Sequence, residues 1–150
     1  MEVETALVDT DVFSVIYFAR RDLAQNQGHP VDAWTSALTG ARVVISFQTR
    51  AEILSGALSR GWGERRLSTV RERLDATPTV DTDTVDTDED VVDAFAQLTR
   101  DAGAAGHPIH QKIHTADRWI AACAVSKGFP LLSGDGIYRG APGLRLLEIG

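Results

Sequence analysis

The sequence predicts an α/β fold, a three-layer α/β/α sandwich around a central parallel sheet, and three observations carry that expectation. Short β-branched or apolar runs recur along the chain: TALVD, RVVIS, TPTVD, PLLS and LRLLEI. Helix-like segments of roughly 10–15 residues separate most of them, the alternation expected of parallel strands with helices on both faces. Finally, no repeat, low-complexity tract or Pro/Gly/Ser-rich linker divides the 150 residues. A chain of that length buries roughly 70% of its unfolded surface as one domain. Residues 1–150 are therefore expected to form a single domain.

Each element has its own signal. TALVD is followed by Thr10 or Asp11 as a helix cap and the apolar run VFSVIYFA. PVDAWTSALTG reads as a helix stopped by Gly40. After RVVIS, Ser46 is placed to cap FQTRAEILSGALSRG. GERRLSTVRERLDA sets Leu67, Val70 and Leu74 at helical spacing. TPTVD is a brief strand, and DEDVVDAFAQLTRDAG a helix with an acid-rich first turn. GHPIHQKIH, interrupted by Pro108, is irregular; a helix then begins near Asp117, PLLS is a strand, and LRLLEI a last one.

Composition narrows the classes. An apolar fraction of 43% with 24% charged residues is that of an ordinary globular protein. No run of 18 apolar residues exists, which excludes a membrane helix. The start, MEVETALVDTD, carries acids where a signal peptide carries bases. The lone Cys123 sits among alanines and cannot form an internal disulfide. A cytoplasmic location is expected. The net charge of −6 is mostly local, because residues 81–93 hold seven of the 21 acids and none of the 15 Lys and Arg. Outside that run the charges balance, and SRGWGERRLSTVRER supplies arginines able to meet phosphate.

In a parallel α/β sheet the functional crevice lies beyond the carboxyl ends of the strands. Asp9 directly follows TALV and Asp135 lies just past PLLS. Glu52 rides the helix leaving RVVIS, and Asp117 heads the helix that feeds PLLS. Each acid has an ordinary structural use as a cap, a helix-dipole partner, a surface ion pair or a turn residue. Together they carry more weight. Two carboxylates 4 Å apart repel by about 4 kcal/mol at an effective dielectric near 20. A group of four is tolerated where protons are retained or a hard cation lies between them. Oxygen ligands suit magnesium or manganese, and such ions serve phosphoester hydrolysis. His107, His110 and His114 offer a transition-metal alternative, although their segment lacks helical regularity. His114, close to Asp117, could instead meet substrate phosphate, and Trp119 reads as packing.

With these residues in view, LVDTDVFS, ISFQTRAEIL, HTADRWIAACAVSKGFPLLSGD and YRGAPGLRLL together resemble the PIN-domain ribonucleases, most of all the VapC-type toxins of bacterial toxin–antitoxin pairs. The resemblance spans nearly the whole chain. It implies a PIN-like fold and that Asp9, Glu52, Asp117 and Asp135 are catalytic and bind metal. Ser133 matches the small hydroxyl residue that orients the site, and Asp11 the polar position beside Asp9. It also implies a Mg²⁺- or Mn²⁺-dependent endoribonuclease acting on structured RNA such as tRNA or rRNA. A homodimer and inhibition by a cognate VapB-like antitoxin are implied as well. One departure stands out: relatives often carry a further acid two residues after the fourth, where this chain has Ile137, followed by Tyr138 in place of phenylalanine. Two other classes compete. DTD and GDG resemble motifs of the haloacid dehalogenase phosphatases, but that reading leaves Glu52 and Asp117 without a role. A non-catalytic PIN-like binding module is the other.

Overall fold

The computed structural model describes residues 4–18, 27–81 and 91–149. Its centre is a four-stranded, wholly parallel sheet with strand order β3-β2-β1-β4, in which β1 is Thr5–Val8, β2 Arg42–Ser46, β3 Thr79–Val80 and β4 Leu131–Leu132. Six α-helices accompany it among the described residues: α1 (Thr10–Tyr17), α2 (Val31–Ala37), α3 (Phe47–Ser59), α4 (Glu64–Asp75), α5 (Val91–Ala105) and α6 (Thr115–Lys127). None is long and apolar enough to cross a membrane.

Strand periodicity sorts the layers. Side chains alternate across a sheet, so Leu7, Val44 and Leu131 face one way and pack with Leu98, Ala102, Ile120 and Ala124 of α5 and α6. Val8, Ile45 and Leu132 face the other and meet Phe13, Trp34, Ile53, Val70 and Leu74 from α1 through α4. Helices thus cover both faces, as the three-layer expectation requires. In α6 small residues permit close approach: Ala121, Ala122, Cys123 and Ala124 are all fully buried. Burial pushes the Cys123 thiol up to about 12.

Capping resolved some expectations and corrected others. Ser46 caps α3, its hydroxyl accepting from Thr49 N at 3.1 Å. The cap of α1, however, is Asp9, which accepts from Val12 N at 3.0 Å, rather than Thr10 or Asp11. The helix begins one residue after β1, leaving no room for a later cap. LRLLEI does not become a strand; only a parallel bridge joins Leu146 to Leu131. The bridge is made by two bonds, Leu131 N to Arg145 O at 2.9 Å and Leu147 N to Leu131 O at 2.8 Å. Helix α5 is described over Val91–Ala105, and residues 88–90 of the acid-rich first turn expected of it lie outside the described residues. GHPIHQKIH forms two short 3₁₀ turns, Pro108–His110 and Lys112–His114. Buried Arg118 on α6 holds them, donating to Ile109 O and Gln111 O, both at 2.7 Å.

A candidate carboxylate site at the carboxyl edge of the sheet

Strand order explains the meeting of distant residues. β1 is central, so the segment leaving β2 flanks it on one side and the segment leaving β4 on the other. Asp9 N donates to Leu132 O at 3.1 Å, which prolongs the β1–β4 ladder past the last named residue. Asp9 therefore lies beside Ser133, whose hydroxyl donates to Asp9 Oδ2 in a very short bond. The same Ser133 oxygen accepts from Asp135 N at 2.9 Å. One hydroxyl thus ties the loop after β4 to the end of β1. Asp135 itself is exposed and caps the 3₁₀ turn Gly136–Tyr138 through Ile137 N, at 3.0 Å.

Glu52 approaches from the other side. Thr10 Oγ1 donates to Glu52 Oε2 at 2.6 Å, and Gln48 Nε2 to Glu52 Oε1 at 2.9 Å. Thr10 is the immediate neighbour of Asp9, and Thr49 Oγ1 lies 3.0 Å from its hydroxyl. Asp117 sits in the first turn of α6, where the helix dipole favours a negative charge. His114 Nδ1 lies 2.9 Å from Asp117 Oδ2, and the Tyr138 hydroxyl donates to Asp117 Oδ1 at 3.4 Å. A carboxylate can only accept, so His114 carries its proton on Nδ1 in this pairing.

Electrostatics tie these groups together. Asp9 is only 4% exposed, and the pKa of its carboxyl is raised to about 6. Burial is the main cause, with the charges of Asp11 and Asp135 adding to it; the bonds from Ser133 and Val12 pull the other way. The buried Tyr138 hydroxyl is pushed far above its ordinary value, first by burial and then by the charges of Asp117, Asp9 and Asp135. Three of the four expected acids therefore act on one phenol. Yet no three of His, Cys, Asp and Glu stand close enough among the described residues to hold a metal ion. Each carboxylate is instead held by its own donors: Ser133 and Val12 on Asp9, Thr10 and Gln48 on Glu52, His114 and Tyr138 on Asp117, and Ile137 on Asp135. The donor set, all oxygen, fits a hard divalent cation better than zinc.

The remaining expected residues take distinct places. Asp11 is exposed on α1 and faces a groove beside Glu52. His107 and His110 are occupied with backbone, His107 Nε2 reaching Arg139 O at 2.8 Å and His110 Nδ1 reaching His107 O at 2.6 Å. They do not form a metal group with His114. Trp119 stacks on Phe95 with centroids 3.9 Å apart, which is packing. Sequence reasoning did not single out Thr10, Gln48 or Tyr138 as site residues. Gln48, four residues before Glu52 on one helix face, carried the only local signal.

An all-parallel sheet with acids gathered at its carboxyl edge defines a class of α/β carboxylate sites. The PIN domain model matches residues 6–143, and the chain belongs to the PIN domain family. No curated protein matches its sequence. Among solved structures, a chain of VapBC2 from Rickettsia felis, bound to a DNA fragment from its promoter, superposes with a TM-score of 0.66 at 18% identity, covering 95% of this chain and 96% of that one. FitAcB from Neisseria gonorrhoeae gives 0.65 at 21%, covering 96% and 97%. DNA-bound VapBC from Salmonella typhimurium gives 0.65 at 20%, again covering 96% and 97%. These likenesses establish the shared fold.

Proposed function

We propose that this protein is a divalent-metal-dependent endoribonuclease that cleaves structured RNA and acts as the toxin of a toxin–antitoxin pair. The observation that most supports this reading is the bridge made by Ser133 between Asp9 and Asp135, with Asp117 acting on the same Tyr138 hydroxyl. Family membership and the fold shared with VapBC complexes add to it. The partners are then an RNA substrate, a VapB-like antitoxin and a second copy of the chain.

Asp9, Glu52, Asp117 and Asp135 would hold Mg²⁺ or Mn²⁺. When bound, such an ion lowers the pKa of a water and stabilises charge on a phosphoryl oxygen. The chain's own residues orient and hold. Ser133 fixes the rotamer of Asp9; Thr10 and Gln48 aim Glu52; His114 and Tyr138 hold the two oxygens of Asp117. The like charges of these acids repel, and a bound cation would compensate them. A phosphatase would use Asp11 as the acid–base partner of Asp9, but Asp11 is exposed on a neighbouring groove.

Cleavage of total RNA tests the reading. Wild-type protein should cut in Mg²⁺ or Mn²⁺ and stop in EDTA. Asp9→Asn and Asp117→Asn should each lose cleavage and growth inhibition while retaining the wild-type circular dichroism spectrum. A folded Asp9→Asn variant that still cuts RNA would rule the mechanism out. A variant that stops cutting but still arrests growth would rule out RNA cleavage as the toxic activity.

A further inference from the structure

A groove of about 410 Å³ runs between α1 and α3, leading away from the carboxylates. Asp11 and Glu52 lie at its near end, and Arg60, Trp62 and Arg66 close the far end. The four-residue turn joining α3 to α4 builds that far end. Gly61 takes the left-handed conformation, φ +67°, that lets the chain reverse and seat Trp62 against the core. The Arg66 guanidinium then lies over the Trp62 ring, 3.6 Å from its centroid, and that of Arg60 lies 5.9 Å away. Gly56, inside α3, is an unfavourable helix residue. A Cβ there would come within 3.1 Å of Arg60 Nη1, and the guanidinium would have to give by a few tenths of an ångström. Among the described residues, no carboxylate pairs with Arg60 or Arg66.

Two cations gathered on one aromatic ring repel each other and call for an anion between them. Guanidinium groups grip phosphate through paired N–H donors, and an aromatic ring with arginine is a stacking platform for bases of any sequence. Along α3, eight residues separate Glu52 from Arg60, about 12 Å at helical rise. We propose that this groove is a subsite for single-stranded RNA flanking the cleaved bond, with its phosphates on Arg60 and Arg66 and a base against the Trp62 platform. The proposal rests on the ribonuclease reading. A peptide would meet the same charges, but a pair of planar cations set on an indole matches phosphate and base more closely than a polypeptide backbone.

Binding measured without cleavage tests it. The full chain is titrated in EDTA against a short fluorescein-labelled single-stranded oligoribonucleotide, followed by anisotropy at several salt concentrations. Arg60→Ala with Arg66→Ala should weaken binding about tenfold and flatten the log–log salt slope by about 1.4, the value for two phosphate contacts on a single strand. Trp62→Leu should weaken binding several-fold with little change in slope, since it removes stacking and not charge. Arg65→Ala with Arg71→Ala, an equal charge change on α4 outside the groove, should alter both much less. Unchanged affinity in the Arg60/Arg66 variant, or equal losses in both arginine pairs, overturns the subsite. So does retention of RNA binding with loss of affinity for a peptide partner. Under the nuclease reading Asp9→Asn loses cleavage, while RNA binding in EDTA depends on the groove, so the two can fail separately. A wild-type chain that binds no RNA overturns both.

Discussion

Asp9 concentrates the energetics of the site in one side chain. A carboxyl whose pKa is about 6 in the folded chain and 3.8 as a free group is more readily protonated when folded. Between those values the native state binds the extra proton, so the contribution of Asp9 to stability is fully present below about pH 4 and is lost as pH rises through about 6. The shift corresponds to a cost on the order of 3 kcal/mol for the ionised form at neutral pH. Asp9→Asn should therefore raise the melting temperature by several degrees at pH 7.5 in EDTA and leave it nearly unchanged at pH 4.5, read by calorimetry. Saturating Mg²⁺ should stabilise the wild type and not the variant. Ser133→Ala tests the neighbouring hydroxyl. Losing its bond lets the Asp9 pKa climb further, so RNA cleavage should fall about 10–100-fold, with the acidic limb of its pH profile moved to higher pH. A uniform drop with no displacement of that limb would argue against an orienting role.

Elements are held in place by contacts that local sequence only partly announces. Ser46 as the cap of α3 was legible because a short polar residue preceded a helical pattern. Asp9 as the cap of α1 was not, because the same residue also ends β1 and its polar neighbours offered equivalent caps. Strand LRLLEI looked as strong as PLLS, yet pairing depends on a free edge in register, and only Leu146 obtains a bridge. Asp9 and Asp135 could be named from their positions after strands, and Glu52 and Asp117 from the helices that adjoin strands, whereas Thr10 and Tyr138 could not, since their bonds span 42 and 21 residues. Gly134 gives a test at this scale. A Cβ there would lie 2.9 Å from Trp34 Cζ2, a fully buried ring of α2. Gly134→Ala should cost about 1–3 kcal/mol in urea unfolding and displace the loop that carries Ser133 and Asp135.

At the scale of the molecule, two apolar layers meet the sheet, and β1 is the plank between them. Leu7 is wholly buried, paired with β2 and β4 and packed in the same layer as α6. Leu7→Ala should lower unfolding free energy by about 2–5 kcal/mol without a change of m value. The same layer holds Cys123, the sole thiol of the chain, at zero exposure and with its proton tightly kept. Ellman's reagent needs a thiolate it can touch, so it should colour only when α6 lifts from the sheet. The fold thereby carries its own chemical clock: the labelling rate counts openings of the layer on which Asp117 rides, and Mg²⁺ should slow its ticking if the cation draws that helix inward.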